Sequence, residues 1–173
     1  MRQVVIYSHP NPKSFCSAIK DTIVETLKGF GDEVIVRDLY DIGFNPVLGG
    51  ADFEALHNLK VLDDTKVEQD FISSSDVLNF VYPIWWTGMP SMMKGYFDRV
   101  FLHGFAYRID PSLGVVPLLK GKKALIFNTM GTPNDLYENS GMIKSMKMTS
   151  DIGIFEFCGI EVLEHAFFGA VPY

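Results

Sequence analysis

Cysteine is scarce in this chain: Cys16 and Cys158 are the only two among 173 residues. They share no CxxC spacing and have no histidine cluster beside them, which argues for reduced thiols of a cytoplasmic protein rather than a disulfide framework. Basic charge is also short, with 15 Lys and Arg against 21 Asp and Glu and a formal net charge of −6. Without a basic run, the chain is not expected to bind nucleic acid or an anionic membrane. Long apolar runs are missing too, so no membrane span is expected. Met1-Arg2-Gln3 leads straight into a short apolar run with no cleavage site, and no signal peptide is read there. His57, His103 and His165 are scattered without ligand spacing, so no metal site is expected. No repeat, linker or low-complexity tract divides the chain, and one domain over 1–173 is expected.

What is present is a globular composition, 47% hydrophobic and 21% charged. Val4-Val5-Ile6-Tyr7 is a continuous apolar run, the mark of a strand buried on both faces. Ser14 then stands as a helix N-cap, and Phe15, Ile19, Ile23 and Leu27 recur at helical spacing until Gly29 and Gly31. Val34-Ile35-Val36 gives a second strand, so the chain opens as a parallel α/β sheet. A long connection holds a short helix around 52–59, and a further helix spans 64–75 with Val67 and Phe71 on one face. Residues 76–82 form the third strand and Pro90 begins the next helix, while 101–119 reads as irregular. The fourth strand is Ala124-Leu125-Ile126-Phe127. The last helix runs over 145–158 with the stripe Met148, Ile152, Phe155 and Cys158, and the fifth strand covers 162–168.

Three loops follow the carboxyl ends of strands one, three and four, where open α/β sheets bind ligands. The first carries His9, Ser14 and Phe15 at a helix N-terminus, suited to an anion but lacking the glycine pattern of a dinucleotide fold. The second, Pro83-Ile84-Trp85-Trp86-Thr87-Gly88, sets both tryptophans of the protein side by side. By itself it suits a packing loop and a ligand wall equally. The third is Thr129-Met130-Gly131-Thr132, with Tyr137 a few residues on. Together they suit a planar, phosphorylated heterocycle.

At these residues the chain resembles the flavodoxin-like NAD(P)H:quinone oxidoreductase family, which includes DT-diaphorase, bacterial modulator-of-drug-activity proteins and the ancillary flavoproteins of glutathione-gated potassium efflux. The resemblance rests on Ser8-His9-Pro10, Asp38-Leu39-Tyr40, Phe44-Asn45-Pro46 and the run Pro83 to Pro90. Lys94-Gly95-Tyr96-Phe97-Asp98-Arg99-Val100-Phe101, Gly104-Phe105-Ala106-Tyr107 and Phe157-Cys158-Gly159 extend it along nearly the whole chain. It implies a doubly wound five-stranded parallel sheet, a bound flavin and a homodimer with two sites at the interface. By resemblance, His9, Ser14, Phe15 and Cys16 surround the flavin phosphate or adenylate. Pro83, Ile84, Trp85, Trp86 and Thr87 line one side of the ring, and Thr129, Met130, Gly131 and Thr132 line the pyrimidine side. Tyr107 and Gly88 face the substrate.

The implied reaction is ping-pong: hydride passes from NAD(P)H to the flavin, then two electrons pass to a quinone or similar acceptor. Tyr137 is the candidate catalytic residue, although Gly141-Met142-Ile143-Lys144 offers no histidine where the best-known members have one. Cys16 stands where some relatives have asparagine. The long loop 46–62 favours FAD, with FMN the alternative. The family's C-terminal helix is not found after the fifth strand. A non-catalytic flavoprotein regulating a partner, such as a potassium-efflux system, is the alternative function, and a flavodoxin-like electron carrier a third.

Overall fold

A strand that is apolar on both sides needs cover on both faces, and the sheet is built around that need. The structure, a computed structural model, describes residues 1–172. It contains β1 (Arg2–Tyr7), β2 (Glu33–Asp38), β3 (Val77–Pro83), β4 (Tyr107–Asp110), β5 (Gly114–Pro117), β6 (Lys123–Thr129) and β7 (Glu161–Phe168). Five of these form one parallel sheet in the order β2-β1-β3-β6-β7, the expected doubly wound arrangement. The helices are α1 (Phe15–Gly29), α2 (Gly50–His57), α3 (Asp63–Ser74), α4 (Ser91–Val100), α5 (Asn134–Asn139) and α6 (Met142–Lys147). A π-helical segment, Met148–Glu156, continues α6.

Side-chain alternation divides the core between the two faces of the sheet. Val5, Tyr7 and Val81 pack under α1 with Cys16 and Ile19. Val4, Ile6, Leu78, Phe80, Tyr82 and Ile126 meet Ile72 of α3, Met93, Tyr96, Phe97 and Val100 of α4, and Phe155 of the π-helical segment. Phe80 is the hub of that face, stacked on Phe97 at 5.1 Å and edge-on to Phe155 at 5.0 Å.

Three expectations are corrected. The stretch 101–119 is not wholly irregular, because β4 and β5 pair as an antiparallel hairpin. Its turn is made by side-chain chemistry: Asp110 Oδ1 accepts from the N–H groups of Ser112 and Leu113, and Gly114 takes a positive φ of 73°. Of the pair Val67 and Phe71 on α3, only Phe71 packs against the core, and the buried face lies beside it. Thr65, Glu68, Gln69 and Ile72 face inward, and Val67 is 46% exposed. Glu68 is held by Arg37 and by the Tyr96 hydroxyl, and Gln69 donates to the Val100 carbonyl, so polar partners outweigh the apolar stripe. The last helix does not keep an α-helical stripe either. Its π turns rotate Met148 and Ile152 out to solvent, each 55% exposed, while Ser150, Phe155 and Cys158 turn inward.

The long connection after β2 is tied down by one buried arginine. Arg99 of α4 donates to the Asn45 carbonyl (2.8 Å), Asp52 (2.8 Å) and Asp64 (2.6 Å). Asp52 also accepts from the Gly49 N–H at 2.9 Å, which caps α2.

Candidate functional site

β2 lies on one side of β1 and β3 on the other, so the strand order reverses between β1 and β3 and opens a crevice at their carboxyl ends. A cleft of about 940 Å³ lies there, within the range of small-molecule and cofactor sites.

One end is built by the loop after β1. Ser14, extended at φ −73° and ψ 162°, caps α1 by accepting from the Ser17 N–H at 3.1 Å. The N–H groups of Phe15 and Cys16 then have no acceptor among the described residues and lie at the open helix N-terminus. Lys13 lines the same end and adds a positive charge. His9 accepts the Asn11 N–H at Nδ1 (3.0 Å), and desolvation lowers its pKa below the usual histidine value. It is therefore neutral near pH 7, with the proton on Nε2. Cys16 forms part of the floor, its Sγ 3.0 Å from Thr129 Oγ1. Burial raises its pKa, so it is a thiol and not a nucleophile.

The cleft is completed by Pro83, Ile84 and Trp85 after β3, and by Thr129, Met130 and Gly131 after β6. The Ile84 N–H donates to the Thr129 carbonyl at 2.7 Å, joining the two walls. The Met130 N–H is committed to the Phe168 carbonyl at 2.9 Å, and the Gly131 N–H has no acceptor among the described residues. Trp85 stands edge-on to His9, ring centroids 6.1 Å apart.

The cleft thus brings together His9, Ser14, Phe15, Cys16, Pro83, Ile84, Trp85, Thr129, Met130 and Gly131. Trp86, Thr87, Gly88, Thr132, Tyr107 and Tyr137 are not among its lining residues. Trp86 and Thr87 are the central residues of a tight turn in which Trp85 and Gly88 exchange two backbone hydrogen bonds of 3.1 Å. That turn type demands positive φ at both centres, and these two non-glycine residues adopt 51° and 57°. Trp86 is 100% exposed. Tyr107 belongs to the β4–β5 hairpin and packs on His103 and Phe157. Tyr137 lies partly buried in α5.

Sequence reasoning missed Asn11, Lys13 and Ala18, and the segment Gly169 to Pro172, which also line the cleft. The segment runs along the Gly131 loop, with Ala170 N–H to Thr132 O at 3.3 Å and Val171 N–H to Met130 O at 3.1 Å. Gly169 makes that approach possible: a Cβ there would lie 2.3 Å from Asn134 Oδ1 and 2.8 Å from the Thr132 carbonyl. The signal available in the sequence was positional, since the segment follows the carboxyl end of the fifth strand just as the three chosen loops follow theirs.

A family model described as a flavodoxin-like fold matches residues 1–172. An uncharacterized NAD(P)H oxidoreductase of Haemophilus influenzae is 39% identical over 172 residues, covering 99% of this chain and 85% of that protein. NAD(P)H dehydrogenase [quinone] 1 of Rattus norvegicus is 31% identical over 183 residues, and the match covers 94% of this chain and 66% of the rat protein. The solved structure of an NAD(P)H:quinone oxidoreductase from Methanothermobacter marburgensis superposes with a TM-score of 0.85 at 25% identity, over 99% of this chain and 85% of that one. The chain belongs to the flavodoxin-like family, in the branch of the NAD(P)H:quinone oxidoreductases.

Proposed function

We propose that the cleft holds a flavin and that the protein is a flavin-dependent oxidoreductase passing reducing equivalents from NAD(P)H to a quinone-type acceptor. One observation carries this reading: an anion cradle and an apolar wall line one and the same cleft. The open N–H groups of Phe15 and Cys16, the N-terminus of α1 and Lys13 suit a phosphate. Ile84, Trp85 and Met130 suit a planar ring, and the unpaired Gly131 N–H suits an oxygen that gains negative charge on reduction. The flavin, when bound, supplies the hydride chemistry; the chain binds it, orients it and keeps water from it. The volume of about 940 Å³, with Asn11, Lys13 and Ala18 also in the lining, favours FAD over FMN.

The substrate side is read as Gly88 and Tyr107, with Tyr137 the catalytic candidate and a second copy of the chain completing the site in a homodimer. What supports this is Trp86, bare to solvent in the single chain and held in a strained turn beside the cleft. A cytoplasmic location is proposed from the two buried, unpaired cysteines. Among the described residues no helix is long and apolar enough to cross a membrane.

The test is steady-state NAD(P)H oxidation with and without benzoquinone. The reading calls for an acceptor-dependent rate and parallel double-reciprocal lines. A flavin-loaded protein with no acceptor-dependent rate would refute the enzyme.

A further inference from the structure

Beneath the cleft, on the sheet face away from α1, lies a buried polar chain that none of the roles above uses. Asn128, fully buried in β6, donates through Nδ2 to the Tyr82 carbonyl at 3.1 Å. A carbonyl can only accept, so the amide orientation is fixed and Asn128 Oδ1 points the other way. It meets His165 Nε2 at 2.6 Å, and because Oδ1 can only accept, Nε2 carries a proton. On the far side of the ring, His165 Nδ1 lies 2.8 Å from Asp151 Oδ1 on the π-helical segment. Ser150 Oγ, itself buried, lies 2.6 Å from the same carboxylate oxygen. Phe167 stacks on the imidazole at 4.2 Å, and the His165 side chain is 1% exposed.

The position of this chain gives it a consequence. Tyr82 immediately precedes Pro83-Ile84-Trp85, and Asn128 immediately precedes Thr129-Met130-Gly131, so one amide links the bases of both walls. The π-helical segment delivers the anchor. Its wider turns bring Asp151 under β7, and Gly153 leaves room for them, since a Cβ there would sit 3.3 Å from the Met148 carbonyl.

We propose that Asp151, His165 and Asn128 form a positioning relay that locks the spacing of the two cleft walls, with His165 donating from both ring nitrogens. The relay rests on the flavin reading only for its effect on cofactor affinity, so the test reads the flavin-free protein first. Amide hydrogen exchange is followed at Ile84, whose bond to Thr129 joins the walls, and at Val5 in the core as control. His165→Leu is expected to speed Ile84 exchange about tenfold, the loss of one charge-assisted hydrogen bond, and to leave Val5 unchanged. His165→Gln, which keeps an N–H donor at the Nε2 position, restores Ile84 to within about threefold of wild type. If His165→Leu does not fold, Asp151→Asn carries the same readout. Equal acceleration at Ile84 and Val5 would reduce the relay to general stability and overturn the proposal, as would no acceleration at all. Nitrogen-15 spectra of the histidine ring must show two protected N–H signals for His165; a single one overturns the assignment of donors. Titration of FMN and FAD follows. Wild-type protein that binds neither refutes the flavin reading and leaves the relay to be judged by exchange. Flavin binding with a dissociation constant unmoved by His165→Leu removes the relay from the cofactor site. A rise of about tenfold, reversed in His165→Gln, supports it.

Discussion

Replacing Trp86 with glycine separates a packing role from a ligand-facing one, because the two give opposite signs of stability change. Trp86 is 100% exposed and holds φ at 51°, so the folded chain gains no packing from the side chain and bears the left-handed strain. Left-handed backbone costs an L-residue roughly 1–2 kcal/mol, which glycine removes. Glycine also frees the unfolded chain, which offsets about 0.4–1 kcal/mol. The net change for Trp86→Gly is therefore between about zero and 1.5 kcal/mol in favour of the folded state. A packed tryptophan would instead cost roughly 3–5 kcal/mol on truncation. Urea unfolding of the flavin-free protein at two protein concentrations gives the number and separates folding from subunit association. The same variant should lose about tenfold in kcat/KM with quinone, as expected when one aromatic contact of about 1.4 kcal/mol is removed from the substrate side. A loss of more than about 2 kcal/mol in folding with turnover intact would refute the assignment and make the turn a packing element.

Three further perturbations test how the cleft is held. Arg99→Met leaves Asp52 buried without its cation, and should cost roughly 3–5 kcal/mol in urea unfolding; a cost below about 1 kcal/mol would mean the arginine does not anchor the long connection. Asp64 has its pKa lowered, first by its hydrogen bond to Arg99, so its contribution is present above the unfolded value near 3.8 and fades as pH falls through the folded value. Asp64→Asn should thus be less stable than wild type at pH 6, with a gap that starts to narrow only below about pH 3.8 and closes as pH falls through the lower folded value; a gap that narrows well above about pH 4 would contradict this. Gly95→Ala places a methyl 2.0 Å from the Pro46 carbonyl and 2.5 Å from Pro46 Cβ, and should lower stability by about 3 kcal/mol or more, measured by thermal melting. An unchanged melting temperature would show that the loop moves aside freely.

The sheet was legible because its signal is local and strong: each central strand is an apolar run, and β3 is buried at all seven positions. The loops of the cleft were legible from their place after those strands. What escaped was set by polar side-chain contacts and backbone turns that leave no apolar periodicity, some of them between residues far apart in sequence. Glu68 and Gln69 took buried places on α3 that an apolar pattern does not mark, Asp110 folded a hairpin where no alternation showed it, and the π turns moved Met148 and Ile152 to solvent. His165 belongs with these. Read alone it was one of several scattered histidines, and only the fold brings it to Asp151 and Asn128, 14 and 37 residues away. The Gly169–Pro172 segment escaped for a simpler reason, since its contacts are backbone bonds that carry no side-chain signature.

The claim that the cleft is a flavin site is tested most directly by binding itself. Flavin-free protein is titrated with FAD and with FMN while flavin fluorescence and Trp85 emission are recorded together. One flavin should bind per chain, with both signals quenched in step, and FAD should bind more tightly because it can also reach Asn11, Lys13 and Ala18 of the lining. A folded protein that quenches neither flavin at millimolar concentration, where even weak sites of about −4 kcal/mol fill, would contradict the account.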